Sequence, residues 1–513
     1  MSCNSDRRVG VIISYAYTVV QIAVQLIYVP ILLSCIGQSE YGIYQLIGSV
    51  MAYIVSINSV LAAGVGRYYC MYMAEGDGLK MENTLAIAKR IYLVMSVATM
   101  AVMGILAIVF RNVYAASFTG PQLDECCIML LILGVNCIVT MNNTINISIL
   151  TARERFLFLK GTQLLSLALQ PVIVVLLTRV CPYAVAICVV VLGLNVLCAT
   201  AQRVYSKNVL KASWKYHGWD KALAKGLLGF SASVVLVTVA DQIFWKTDQL
   251  IVGFMYGPES VAVYSIGSQV YSAYMYIGIA IASVFLPHVS ELYHRDHDME
   301  AISNLFTKVG RLTFMVCIAV LGGFAVLGPD FMTLWAGEGY YISYLIAIVV
   351  MIPFTIDLVQ NLGLTILQVV NKYYFRGMMY LLIAIANVVL TIVLLNVVGL
   401  VGAALSTAIA MLIGNGFVMN WYYLKKIGLD IRRFWTEIGR LALIALPVIA
   451  LFALLYWNLP FGRGTWLGLV LSAFFFLAVL LALLWRFGLN EYEKELFSSL
   501  FFKVRKQSND SRR

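Results

Sequence analysis

The chain has 513 residues, of which 61% are hydrophobic and 12% are charged, and its formal net charge is +11. This composition leaves no room for a large water-soluble domain and indicates an all-α polytopic membrane protein. Because the basic residues lie in loops between apolar segments and no nucleic-acid-binding motif occurs, the charge reflects membrane topology and not a nucleic-acid partner.

The apolar segments predict about fourteen transmembrane helices. A helix needs about 20 mainly apolar residues to cross a bilayer. We expect spans near residues 11–33, 43–66, 91–110, 126–150, 161–178, 184–202, 231–254, 263–286, 310–328, 341–366, 377–396, 401–424, 441–459 and 466–486. The first segment follows Arg7 and Arg8 and ends near Cys35, as a lipoprotein signal would, but it is too long and too polar for one. We therefore expect it to be a span.

Thirty-two of the 36 Lys and Arg residues fall on one side of this arrangement. Since positively charged loops remain in the cytoplasm, both termini are predicted to be cytoplasmic. The longest basic connection, residues 203–230, also contains two tryptophans, which suits an amphipathic segment on anionic lipid.

An internal repeat divides the chain. Ile31–Val50 and Ile251–Val270 share one layout at a constant offset, with Gly37 matching Gly257 and Tyr44 matching Tyr264. The repeat predicts five parts: an N-terminal six-helix bundle (1–202), a cytoplasmic amphipathic linker (203–230), a C-terminal six-helix bundle (231–424), two additional transmembrane helices (425–486) and a cytoplasmic tail (487–513).

Several motifs in order resemble one family. Ile383–Met411 has the pattern Asn-x-x-Leu…Gly-x-x-Gly-Ala-Ala-x-Ser-Thr, and the segments Ile36–Tyr44 and Gly64–Tyr68, with Tyr264 and Pro287, complete the resemblance. Together they resemble the Wzx-type polysaccharide flippases of the multidrug/oligosaccharidyl-lipid/polysaccharide superfamily.

The resemblance implies a V-shaped fold of two bundles in a bacterial inner membrane. It also implies that the protein moves an undecaprenyl-pyrophosphate-linked oligosaccharide across that membrane by alternating access, for O-antigen, capsule or exopolysaccharide biosynthesis. The implied partners are this lipid-linked oligosaccharide, membrane lipids and, in addition, a polysaccharide polymerase and a chain-length regulator.

The seventh predicted span carries the most unusual residues. Asp241, Lys246 and Asp248 lie inside it, although a charge in a bilayer costs about 2.5–3.5 kcal/mol. We predict that Lys246 contacts the pyrophosphate and that Asp241 and Asp248 line the same cavity. The alternative is a charge cluster that only holds helices together.

Other polar residues in predicted spans extend this set of candidates. Amide and tyrosine side chains suit sugar hydroxyls, and a basic residue at a span end suits an anion. The further candidates for substrate binding are Gln21, Gln25, Arg67, Asn142, Asn146, Tyr264 and Gln269, and Asp357 is a candidate for ion coupling. Hydrogen bonding between helices, or snorkelling in the case of Arg67, explains the same residues without substrate.

We expect no catalytic residue, cofactor or metal site. The chain has no P-loop motif and no HExxH motif, and the His-rich stretch 288–297 fits a solvated turn. Three other functions remain open. One is a lipid II flippase, although the Arg-rich first span of that branch is absent here. A cation-coupled multidrug exporter would be expected to have a carboxylate in the first span, which residues 11–33 lack. A membrane glycan polymerase or ligase would need a larger external loop than the sequence provides.

Overall fold

The computed structural model describes residues 2–283, 285, 289–293, 298–370, 372–458, 463–491 and 493–494. Within these ranges the regular secondary structure is entirely helical, which confirms the all-α prediction. Pro287 and most of the His-rich stretch lie outside the described residues.

The helices follow one another with short connections. The first helical segment, Ser2–Glu75, is broken at Gly37 into α1 and α2. The others are α3 (Gly78–Val113), α4 (Gly120–Ala152), α5 (Phe156–Thr178), α6 (Ala184–Asn208), α7 (Lys221–Tyr256), α8 (Pro258–Ser283), α9 (Met299–Ala336), α10 (Tyr341–Val359), α11 (Tyr373–Val398), α12 (Val401–Ile427), α13 (Ile431–Asn458) and α14 (Trp466–Gly488).

The predicted spans coincide with these helices, with one exception. The span near 341–366 is interrupted after Val359, and a separate short helix, Leu362–Val369, follows the break. Eleven of the described segments are long and apolar enough to cross a membrane. The number of fourteen crossings stays a prediction.

Two glycines of the repeat end helices in the same way. Gly37 has φ 79° and ψ 175°, and Gly257 has φ 79° and ψ −177°. Only glycine adopts this region without steric strain, because a Cβ atom would collide with the backbone. The repeat also places an N-capping aspartate before corresponding helices: the side chains of Asp77 and Asp298 accept hydrogen bonds from the first turns of α3 and α9.

The chain packs into two compact units, Met1–Gln269 with Gly377–Thr407, and Val270–Arg376 with Ala408–Arg513. The first unit contains the whole N-terminal repeat together with α7. The main packing contact within it joins the first helical segment, Ser2–Glu75, to α7, and Leu46 of α2 lies against Gly253. These units are defined by packing, whereas the predicted domain boundaries are defined by sequence similarity between the repeats. The predicted boundaries therefore stay a prediction.

The second unit contains a buried ion pair. The guanidinium of Arg311 on α9 donates from Nε to Oε1 of Glu493 at 2.7 Å and from Nη2 to Oε2 at 2.9 Å. Its Nη1 donates to Oε2 of Glu437 on α13 at 2.7 Å, and its Nη2 to the carbonyl oxygen of Gly488 at 2.7 Å. Arg311 thus links the segment after α14 to α9 and α13.

The outer surfaces of several helices are apolar. On α3, one face of exposed side chains consists of Leu93, Val94, Val97, Ile105 and Ile108. Exposed apolar patches of this extent are unstable in water and are typical of a surface that faces lipid. The protein is therefore a multi-pass membrane protein.

Candidate functional site

Asp248 lies at the centre of a buried polar cluster in the first unit. It is 2% exposed and faces three helices other than its own. Its Oδ2 accepts hydrogen bonds from the hydroxyls of Tyr264 on α8, at 2.8 Å, and Thr407 on α12, at 2.7 Å. Its Oδ1 accepts one from the hydroxyl of Thr391 on α11 at 3.0 Å. The carboxylate therefore ties α7 to α8, α11 and α12.

This cluster consists of oxygen groups and amides. Asn387 donates from Nδ2 to the hydroxyl of Thr407 at 3.4 Å, and no donor among the described residues reaches its buried Oδ1. A carboxylate enclosed by hydroxyls, with an unsatisfied amide oxygen nearby, has the chemistry to hold a proton or a small cation. It offers no positive charge to an anion.

The residues on either side of Asp248 connect α7 to other helices. The hydroxyls of Tyr53 on α2 and Thr247 lie 2.6 Å apart. Gln249 accepts a hydrogen bond from Ser49 on α2 and donates to Ser268 on α8 at 3.2 Å. Three consecutive side chains of α7 are thus used for helix packing, as polar groups in a membrane need partners.

Lys246 has a different environment. Residues two apart on a helix point about 200° away from each other, so Lys246 lies on the side opposite to Asp248, together with Leu250 and Gly253. It is half-buried, and among the described residues its ammonium forms no ion pair with a carboxylate. No ion pair thus joins Lys246 to Asp248 in the described part of the chain, and the alternative of a purely structural cluster of Asp241, Lys246 and Asp248 stays open.

The other predicted site residues are spread over both units. In the first unit, Gln21, Asp241 and Gln269 are half-buried and Arg67 is exposed, whereas the side chain of Gln25 lies outside the described part. Asp357 is half-buried on α10 and belongs to the second unit. Among these predicted site residues, Asp248 and Tyr264 are in direct contact.

Asn142 and Asn146 lie on a separate cleft of about 280 Å³ within the first unit. The side chains of Lys89 on α3, Arg203 on α6 and Trp214 in the following loop also line it. The sequence analysis missed this combination, because it assigned Lys89 and Arg203 to topology. The spacing of Val196, Ala199, Thr200 and Arg203, which places them on one face of α6, was the available signal.

The sequence analysis also did not identify Thr391 and Thr407 as partners of Asp248. Both lie in the Ile383–Met411 motif, which the sequence marks only as part of the family resemblance. The hydroxyl of Thr391 on α11 also lies 2.5 Å from the hydroxyl of Ser406 on α12. These two helices are therefore both closely packed and hydrogen-bonded at this point.

A comparison of the sequence with known protein families identifies the family of this chain. The profile of the family described as "Polysaccharide biosynthesis protein" matches residues 36–344, from the end of α1 into α10. The chain belongs to this family. The match confirms the resemblance that the glycine and tyrosine motifs indicate.

Two curated relatives support the same family. The "Putative O-antigen transporter" of Shigella flexneri is 22% identical over 247 residues, which are 47% of this chain and 57% of that protein. The "Probable low-salt glycan biosynthesis flippase" of Haloferax volcanii is 21% identical over 216 residues, which are 42% of this chain and 45% of that protein. The matches thus span about half the length of these relatives.

The fold is similar to that of a solved structure over nearly the whole chain. The lipid II flippase MurJ in an inward closed conformation superposes with a TM-score of 0.74, covering 93% of this chain and 99% of that one at 15% sequence identity. At this identity the similarity concerns the fold alone. It extends over nearly the whole chain, including the helices beyond the family match.

Proposed function

We propose that this protein is a flippase that moves a polyprenyl-pyrophosphate-linked oligosaccharide across a bacterial inner membrane for surface polysaccharide biosynthesis. The family indicates the process, polysaccharide biosynthesis, and the names of both relatives describe transport of an O-antigen or flipping in glycan biosynthesis. A multi-pass helical protein can carry such a cargo by alternating access, with the head group in a polar cavity and the lipid tail in the bilayer.

The observation that carries this proposal is Lys246. It is a cation within a predicted span, half-buried, with no carboxylate partner among the described residues. An unpaired charge at this depth is costly and therefore marks a functional position. A pyrophosphate passing through the membrane needs such a positive group, and Lys246 supplies it.

The remaining candidates take secondary parts in this proposal. Gln21, Gln25 and Gln269 offer amides to sugar hydroxyls, and Arg67, which is exposed, meets the anionic head group where the cargo enters. Asp248 and Tyr264 hold α7 in place through their hydrogen bond. The proposal keeps Asp357 as the candidate for ion coupling.

Lys246 and Asp248 also bear on the competing functions. An exporter of cationic drugs needs a carboxylate that the drug or the coupling ion can reach, and the first predicted span has none. Asp248 has the chemistry to hold a proton or a small cation, but it is buried and already accepts three hydrogen bonds, so a cationic drug does not reach it. For a glycan polymerase or ligase, the connections between the described helices offer no room for a catalytic domain.

We further propose that both termini are cytoplasmic and that the protein works beside a polysaccharide polymerase and a chain-length regulator. The distribution of Lys and Arg supports the orientation. The partners follow from the process, since a flipped repeat unit has to be polymerised on the outer side.

A translocation assay tests the proposal. The purified full chain is placed in lipid vesicles with a polyprenyl-pyrophosphate oligosaccharide, and a lectin outside the vesicles measures how fast the sugar becomes accessible. We expect faster exposure with the protein than in empty vesicles, and no change in sugar chain length. Gradient-dependent efflux of cationic dyes without any movement of the glycan lipid would instead establish the exporter.

A further inference from the structure

The cleft between α3, α4 and α6 contains Asn142 and Asn146, which are candidates for substrate binding by sequence and to which the proposed function above gives no part. Its lining comes from those three helices and from the loop after α6, and none of it from α7 or α8. It is thus distinct from the surroundings of Lys246 and Asp248. The chemistry of this cleft does not depend on what the protein transports.

The cleft is positively charged. The lining includes Lys89 and Arg203 but no Asp or Glu. Both cations are exposed, and among the described residues neither forms an ion pair with a carboxylate. Two uncompensated cations that line one cleft of about 280 Å³ are suited to a phosphate group.

The cleft also offers hydrogen-bond acceptors. Asn142 uses its Nδ2 to donate to the hydroxyl of Ser96 at 3.2 Å and to the carbonyl oxygen of Ile138 at 2.9 Å. Asn146 uses its Nδ2 to donate to Oδ1 of Asn143 at 3.1 Å. No donor among the described residues reaches the Oδ1 atom of Asn142 or of Asn146. These two amide oxygens are therefore available to hydroxyl groups of a ligand.

The surroundings of the cleft are apolar. Leu93, one turn after Lys89, is 64% exposed, and Leu197 and Val204, on either side of Thr200 and Arg203, are 68% and 51% exposed. Such side chains at the edge of a predicted span face acyl chains. A ligand of this cleft therefore combines a phosphate and hydroxyls with an apolar tail, which describes a lipid and not a free sugar phosphate.

We propose that this cleft binds the headgroup of an anionic glycerophospholipid with free hydroxyls, such as phosphatidylglycerol. Lys89 and Arg203 hold the phosphodiester, Asn142 and Asn146 accept from the glycerol hydroxyls, and Trp214 packs against the headgroup from the loop. Basic pockets between transmembrane helices bind anionic lipids in this way. Lipid bound here connects the loop after α6 to α3 and α4.

Native mass spectrometry of the full chain tests this site. The protein is released from nanodiscs of phosphatidylethanolamine that contain equal small amounts of phosphatidylglycerol and phosphatidylserine, and the retained lipids are counted. The wild type should retain one phosphatidylglycerol in preference to phosphatidylserine. The variant Lys89→Gln/Arg203→Gln should bind it about 25-fold more weakly, since each basic residue at an anionic surface contributes roughly a factor of five.

The matched control is Lys207→Gln/Lys225→Gln, which removes the same charge from exposed positions on α6 and α7 outside the cleft. It should bind lipid like the wild type. The variant Asn142→Leu should lose the preference for phosphatidylglycerol over phosphatidylserine and still bind both. A thermal unfolding midpoint for each variant shows that it is folded.

Two results would overturn the proposal. Equal loss in the control would mean that lipid binding follows general surface charge. Displacement of phosphatidylglycerol by an equimolar polyprenyl-pyrophosphate oligosaccharide, abolished by Lys89→Gln/Arg203→Gln, would mean that the cleft receives the glycan lipid and not a membrane phospholipid.

Discussion

Gly37 and Gly257 lie 220 residues apart and have the same backbone conformation, with φ 79° in both and ψ values of 175° and −177°. Each ends one long helix immediately before another begins. An equal local break at equal positions of the two repeats is difficult to obtain by chance. The relationship supports the repeat that the sequence predicts.

Substitution of Gly37 tests the need for this conformation. No atom beyond the adjoining backbone lies within 4 Å of the position where a Cβ would be, so Gly37→Ala introduces local backbone strain and no collision with another part of the chain. We expect a loss of about 1–3 kcal/mol in stability. The control is Gly48→Ala on α2, also without neighbours, where alanine should stabilise the helix by up to about 1 kcal/mol. Thermal unfolding in detergent measures both, and equal effects would contradict the explanation.

Asp248 should contribute to stability through its three hydroxyl partners. Asp248→Leu leaves these hydroxyls without an acceptor and should cost about 2 kcal/mol or more, since one hydrogen bond in a membrane protein contributes about 0.6 kcal/mol and up to about 1.7. Asp248→Asn keeps one acceptor oxygen and should cost clearly less. Thr391→Val, which removes a single partner, should lie between the wild type and Asp248→Leu. A wild-type unfolding midpoint for Asp248→Leu would contradict the hydrogen-bonded cluster.

Lys246 should be needed for transport but not for folding. Lys246→Ala should abolish glycan export in cells while the protein still accumulates in the membrane, because no described ion pair depends on it. Lys246→Arg should retain part of the activity, because it keeps the charge. Lys225→Ala, at the exposed start of the same helix, serves as control and should export normally. Normal export by Lys246→Ala would remove Lys246 from the proposed mechanism.

Arg311 should be among the residues that stabilise the second unit most. It is 3% exposed and bound to Glu493 and Glu437, so Arg311→Met leaves the buried carboxylate of Glu493 without a cation and should cost about 3–5 kcal/mol. Arg440 also pairs with Glu437 but is 68% exposed, and Arg440→Gln should cost less than about 1 kcal/mol. Adding Glu493→Gln to Arg311→Met should recover part of the stability. If Arg440→Gln had a lower unfolding midpoint than Arg311→Met, the exposed pair would contribute more than the buried one, which would contradict this prediction.

The orientation can be tested with reporter fusions. Fusions after Asp220 and Asp430 should be cytoplasmic, and a fusion after Gly464, between α13 and α14, should be external. The reason is that 32 of the 36 basic residues fall on the predicted cytoplasmic side. A cytoplasmic signal after Gly464 would show that the fourteen-span topology is wrong.

The sequence by itself determined the features that depend on neighbouring residues. A helix of apolar residues satisfies its own backbone hydrogen bonds, so each predicted span could be found from a local window. The helix break at Gly37 was equally local, because it depends on the missing Cβ of one residue. The family could be recognised for the same reason, since its motifs are short and contiguous.

The tertiary structure decided which polar groups meet. Asp248 bonds to Thr391 and Thr407, more than 140 residues further along the chain, and Lys89 lines a cleft with Arg203, which lies on a different helix. Apolar periodicity tells which face of a helix is buried but not which other helix covers it. Helix geometry alone places Lys246 and Asp248 on opposite sides of α7, whereas only packing determines which hydroxyl groups surround Asp248.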